Sequence, residues 1–334
     1  MQIFSLSAND YYEFPFTIGD IDPSKTFVHV FDEVTLDLIL SELKTIYDFT
    51  DYLREKVTAI RTRKLLSVCG EEDLLAYYLS SLRFDRQTSL YIPELQSNQI
   101  GFSIAENEWQ HYKSSVHYHI LSAYRASSSY WDFIVSNLSA CILNANVGFG
   151  AEFDIKTHET ALRYLASESM ISRSKLSEAL VEKIKSVPSN VRSARLVFSP
   201  LYSDRLYVFL VYPRSNLSGN KEYRLERVHV MQAYCLVAKY LNPNAKHIIV
   251  VATEPNGSSV RSEDILSASY SEPLTYAEKQ QAKIIMHEQK ILNTVVDNSS
   301  FDRGENRSAF KCTIRRNELC TCGSGIKYKK CCMK

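Results

Sequence analysis

Cys320, Cys322, Cys331 and Cys332 form a C-x-C-x8-C-C array within the last fifteen residues of a 334-residue chain. The simplest chemical use of four thiols so spaced is a closed zinc site, with four thiolates in a tetrahedron about 2.3 Å from the ion. So short a segment buries too little apolar surface to fold by itself. Metal ligation supplies the missing free energy, on the order of 10 kcal/mol or more in short zinc peptides. Gly323 and Gly325 flank Ser324 directly after the first thiol pair and suit a tight turn. Residues 327–330 are long enough for one helical turn that returns Cys331 and Cys332 to the ion. Two disulfides and a redox pair are the competing uses. The chain shows no signal peptide, so the expectation is a cytoplasmic, reducing setting that disfavours disulfides. The array is also not the C-x-x-C of thiol redox motifs.

Residues 316–332, Arg-Asn-Glu-Leu-Cys-Thr-Cys-Gly-Ser-Gly-Ile-Lys-Tyr-Lys-Lys-Cys-Cys, resemble the SEC-C motif. That motif ends the bacterial preprotein translocase motor SecA and is appended to many otherwise unrelated bacterial proteins. The resemblance implies Zn2+ held by Cys320, Cys322, Cys331 and Cys332. Here Cys332 stands where the motor has histidine, Thr321 where proline is common and Ile326 where lysine is frequent; the latter two are not ligands. The resemblance also implies partner binding, since the module is associated with the chaperone SecB and the ribosome. It covers about seventeen residues and does not extend to the body, which lacks the G-x-x-x-x-G-K-[ST] loop of the motor.

The tail is strongly basic. Residues 311–334 carry Lys311, Arg315, Arg316, Lys327, Lys329, Lys330 and Lys334 against Glu318 alone. Even with a four-thiolate zinc of formal charge minus two it stays positive. Arg315, Arg316, Lys327, Lys329 and Lys330 are therefore the candidate partner contacts, suited to an acidic protein surface or a phosphate backbone. The bland alternative is a solubilising end.

The body carries no such array. The whole chain's net charge of +1 gives no general attraction to nucleic acid or membrane, and no apolar run reaches the eighteen residues a bilayer span requires. With 45% hydrophobic and 23% charged residues the composition is that of a globular protein. His111, His117 and His119 lie close in sequence, but on a helix neighbours two apart diverge. Glu178, Asp204 and Glu222 are the acids available to a nuclease of the restriction-endonuclease type, although the second hairpin strand lacks the expected acid and lysine. Thr253-Glu254-Pro255 follows the most apolar strand, with Arg261, Glu263 and Asp264 soon after, which makes that strand end the best place for a pocket. Cys69, Cys141 and Cys235 read as packed thiols and Cys312 as a spare one.

The elements that must position these groups read as an α+β fold, helix-rich, with a small mixed sheet in the second half. Residues 1–26 are irregular or edge structure, and 27–31 alternate as a strand. One long helix is expected over 32–63, capped by Asp32 or Thr35. Further helices are expected over 71–82, 106–126, 130–143, 158–168 and 172–187, with Ser172 or Ser174 capping the last of these. Strands are expected at 89–92 and 100–104. A hairpin over 193–198 and 206–212 leads to a helix over 222–241, a buried strand over 247–252, a strand over 265–270 and a helix over 275–292. The organisation is a mainly helical part over 1–165, an α+β part over 166–296, a linker over 297–310 and the zinc module over 311–334. The first two parts are also consistent with one continuous domain. Two functions fit: an adaptor whose zinc tail docks on a partner, or a metal-dependent hydrolase that uses the module for targeting.

Overall fold

β-Branched alternation in Val28–Asp32 does produce a strand. In the computed structural model, which describes residues 2–6, 28–61, 65–82, 101–143, 155–214, 220–256 and 262–293, this strand (β2) pairs in parallel with β1, Gln2–Leu6. The amino-terminal stretch is thus partly regular, because the β2 edge gives it a template. The described residues form two compact units. The first comprises those up to Asn137 together with Leu162–Glu178; the second comprises Leu138–Ala161 and those from Ala179 onward.

In the first unit the expected long helix is two. Helix α1, Glu33–Glu42, has Asp32 as its N-cap, with Oδ1 accepting from the Thr35 amide at 2.7 Å. Helix α2, Ile46–Arg61, starts afresh because the Asp48 amide donates to Thr45 Oγ1 at 3.0 Å, a local bond that competes with helical continuation. Strand β3, Leu65–Val68, pairs in parallel with β4, Phe102–Ile104; β3 has too few residues to declare itself by alternation. Helices α3 (Glu71–Ser81), α4 (Glu108–Lys113) and α5 (Val116–Leu143) follow. The helix break falls at Ser114-Ser115, and α5 runs straight through Ser127-Ser128-Ser129. Each of those three hydroxyls donates to the carbonyl three residues back, so the serines decorate the helix without ending it.

The core of this unit joins Leu53, Leu74, Leu75, Tyr78, Trp109 and Leu121. A half-buried ion pair braces it: Glu71 accepts from Tyr52 Oη and from Lys56 Nζ, each at 2.5 Å. Helices α6 (Ile155–Ala166) and α7 (Met170–Ser186) come next. Ser169, rather than Ser172 or Ser174, caps α7, since its Oγ accepts from the Ser172 amide at 3.2 Å. Ser174 instead meets Ser127 across from α5.

The second unit holds a four-stranded sheet in the order β5-β6-β7-β8. Its strands are Ser193–Phe198, Arg205–Val211, His247–Thr253 and Glu263–Ser269. The hairpin β5-β6 is antiparallel, β6-β7 is parallel through helix α8 (Asn220–Leu241), and β7-β8 is antiparallel. This is the small mixed sheet of an α+β protein. Leu206, Val208, Leu210, Ile248, Val250 and Ala252 point toward Met231, Cys235 and Ala238 of α8. Their neighbours Tyr207, Phe209, Ile249 and Val251 are also fully buried, which explains the unbroken apolar run of β7. Arg195 on β5 donates to the Ala179 carbonyl and pairs with Glu182, fixing the end of α7 to the sheet edge.

Helix α9, Tyr276–Glu288, opens with a full capping box: Thr275 accepts from the Glu278 amide, and Glu278 accepts from the Thr275 amide at 2.7 Å. That bonding also holds the Glu278 pKa below the usual carboxylate value. Thr275→Ala should weaken the first turn of α9 by about 1 kcal/mol, read as faster amide exchange at residues 276–279 with α8 unchanged. No described helix is long and apolar enough to cross a membrane.

Candidate functional site

The carboxyl ends of the parallel strands β6 and β7, with the first turns of α8, gather the largest set of buried charge in the second unit. On α8, Arg224 and Arg227 continue the stripe formed by Val228, Met231, Tyr234 and Cys235 at helical spacing, so they turn inward. Arg227 is 0% exposed and Asp264, at the start of β8, 1%. Arg227 Nε donates to Asp264 Oδ2 at 2.7 Å and Arg224 Nε to Oδ1 at 3.1 Å, and each guanidinium also reaches the carboxylate through Nη2.

The remaining donors are also used. Arg227 Nη1 donates to Tyr223 Oη at 3.2 Å and to the Ser262 carbonyl at 3.1 Å, while Nη2 meets Ser262 Oγ at 3.0 Å. Arg224 Nη2 meets the Glu263 carbonyl at 3.1 Å. Ser262 Oγ in turn donates to Glu254 Oε1 at 2.7 Å, and Arg214, 33% exposed, pairs with the same oxygen at 3.3 Å. Glu263 accepts from Thr253 Oγ1 at 3.5 Å. Tyr223 Oη donates to the Tyr212 carbonyl at 2.7 Å, and its ring lies 4.9 Å from the guanidinium carbons of both Arg214 and Arg227.

Three arginines thus face the carboxylates of Glu254 and Asp264. Burial works against the Arg227 charge, yet Asp264 and Tyr223 hold it above the usual arginine range. Burial pushes the Tyr223 hydroxyl up to about 12. All five N–H groups of Arg227 are engaged, so it has none to offer a ligand. The arrangement is a brace that locks α8 to the β7–β8 connection.

The strand end singled out in the sequence therefore does assemble Thr253, Glu254, Glu263 and Asp264; Arg261 lies outside the described residues. Sequence reasoning missed Arg224 and Arg227, because arginines on a helix are ordinarily solvated. Their i, i+3 spacing in register with the apolar stripe was the available signal. Asp204 and Glu222 do not converge. The Asp204 carbonyl accepts from the Lys246 and His247 amides, at the start of β7. Exposed Glu222 sits beside Tyr223 at the other end of the sheet, about 20 Å away along a seven-residue strand. Glu178 is exposed on α7.

His117 is spent on Tyr112 Oη at 3.1 Å and the Leu82 carbonyl at 3.0 Å, leaving it unsuited to a metal; His111 lies on α4, apart from His119 on α5. Among the described residues no three His, Cys, Asp or Glu side chains gather as a metal set. Cys235 is buried, and burial pushes its thiol up to about 12, whereas Cys69 is exposed and not a packed thiol. Cys141 lies near the end of α5. Cys312, Cys320, Cys322, Cys331 and Cys332, with Arg315, Arg316, Lys327, Lys329 and Lys330, lie outside the described residues.

Comparison with known families decides what the tail is. The family model of the SEC-C motif matches residues 316–334. The chain carries a SEC-C motif. No curated protein and no solved structure matches the chain. The SEC-C segment contains the four clustered cysteines, and the chemistry of these donors fits zinc, since four soft thiols are as many donors as a closed tetrahedral site takes.

Proposed function

We propose that this protein is an accessory or adaptor protein whose SEC-C module, residues 311–334, binds one zinc ion and docks on an acidic partner. The match at residues 316–334 carries this reading. Cys320, Cys322, Cys331 and Cys332 would hold the ion, which when bound gives a short segment the free energy to hold one shape. Arg315, Arg316, Lys327, Lys329 and Lys330 would then present positive charge to a protein surface, with a phosphate backbone as the competing target. The body supports the reading through its closed ionic brace, which is built to hold structure. The setting expected is cytoplasmic, because thiolate ligands persist in reducing conditions.

The test is affinity capture with the full chain, with a chain ending at residue 310, and with a full chain in which those five basic residues are glutamate. A specific partner retained by the first and lost from the other two, at unchanged zinc content of the charge-reversed protein, supports docking. Identical recovery by all three contradicts it, and nuclease-sensitive recovery reassigns the partner to nucleic acid.

A further inference from the structure

The two edges of the four-stranded sheet are finished differently. On β8 the Tyr270 amide donates to the Lys246 carbonyl at 2.8 Å, so the odd-numbered residues of that strand turn their backbone groups outward. The first of these, the Glu263 carbonyl, is taken by Arg224 Nη2 at 3.1 Å, and Ile265 is 3% exposed. Helix α8 thus closes the start of that edge.

On β5 the Ser199 amide donates to the Arg205 carbonyl at 3.0 Å, continuing the strand register. Alternation then gives β6 the backbone groups of Ser193, Arg195 and Val197, and turns those of Ala194 and Leu196 away from the sheet. Among the described residues nothing bonds to the outward groups of Ala194 and Leu196, and both residues are half-buried. Both faces of the strand are in use. Ala194, Leu196 and Phe198 pack on the α8 side, while Ser193 accepts from Lys183 Nζ at 2.6 Å and Arg195 reaches the Ala179 carbonyl. The edge itself carries none of the defences that keep strands apart. No proline interrupts residues 193–198, the register is unbroken, and Arg195, the one charge, is turned to Glu182.

We propose that this edge pairs with β5 of a second copy, antiparallel and centred on Leu196, joining the two sheets into one across a two-fold axis. The strand is complementary to itself in that register. Leu196 exchanges backbone bonds with Leu196 of the second copy, Ala194 stands opposite Phe198, and Arg195 opposite Val197. Small meets large, and no like charges are opposed. Centring the pair on Arg195 instead would set two guanidinium groups face to face.

The test is sedimentation equilibrium of the full chain over about a hundredfold range of concentration, for the natural sequence and for Ala194→Pro. Proline removes an outward N–H and no bond to β6, so the hairpin should survive, read as unchanged amide protection in β6 and β7. Symmetry removes two donors per dimer, which should weaken association on the order of thirtyfold. In the natural chain labelled with 15N-alanine and 15N-leucine, exchange at Ala194 and Leu196 should slow as concentration rises. Leu206 and Leu210, bonded to β7, should stay protected throughout. A natural chain that is monomeric at every concentration would overturn the proposal, whether those two amides exchange freely or are covered from within the chain. So would a dimer that Ala194→Pro leaves unweakened, or one in which Ala194 and Leu196 exchange freely. Should Ala194→Pro fail to fold, the concentration dependence of the two amides decides.

Discussion

Asp264→Ala should destabilise the second unit by about 3–5 kcal/mol, because it strands two buried guanidinium groups without their carboxylate. Arg224 and Arg227 are each more than nine-tenths buried and take most of their charge-assisted bonds from this one side chain. Neither can lose its proton to relieve the cost. The measurement is denaturant unfolding followed by hydrogen exchange in peptides from α8 and the β7–β8 connection. Tryptophan fluorescence would not serve, since Trp109 and Trp131 both belong to the first unit. Replacing all three partners together, as Arg224→Met, Arg227→Met and Asp264→Leu, should cost far less than Asp264→Ala, because no unpaired charge is left behind. Equal losses in the two proteins would show that the brace contributes little through its pairing.

The contrast between β7 and α8 shows what was legible in the sequence. A five-residue apolar run bounded by turn formers, Ile248–Ala252, can hardly be anything but an inner strand, and it forms the middle of β7, His247–Thr253. Arg224 and Arg227 were only half legible: their register with the apolar stripe of α8 signals burial, but their partner Asp264 lies 37 to 40 positions away and nothing local announces it. The same limit hid the start of α2. Residues 32–63 keep helical periodicity throughout, and only the Thr45–Asp48 bond, a competition between side chain and backbone, reveals the break. Conversely, Ser127–Ser129 looked like a break and was not, because each hydroxyl found a carbonyl within the helix. The SEC-C motif was the most legible feature, since cysteine spacing is a local property and the match falls on the residues that display it.

Loss of the four-thiolate set should have the largest consequence of any change in the chain. Structural zinc sites contribute on the order of 10 kcal/mol or more, and a segment of this length has no core to replace it. Cys320→Ser with Cys331→Ser removes one proposed ligand from each half of the array and should abolish metal binding outright, while leaving the α8–β7–β8 brace intact. Because thiols must lose protons to bind, occupancy should fall as the solution is made acidic, with proton release on metal addition at neutral pH.

The decisive measurement is the metal content of the full chain purified under reducing conditions, by elemental analysis. One zinc per chain, lost in the Cys320→Ser, Cys331→Ser protein and retained in the protein whose five basic residues are reversed, is the predicted result. Protein without stoichiometric metal, or a double variant with undiminished occupancy, would contradict the account.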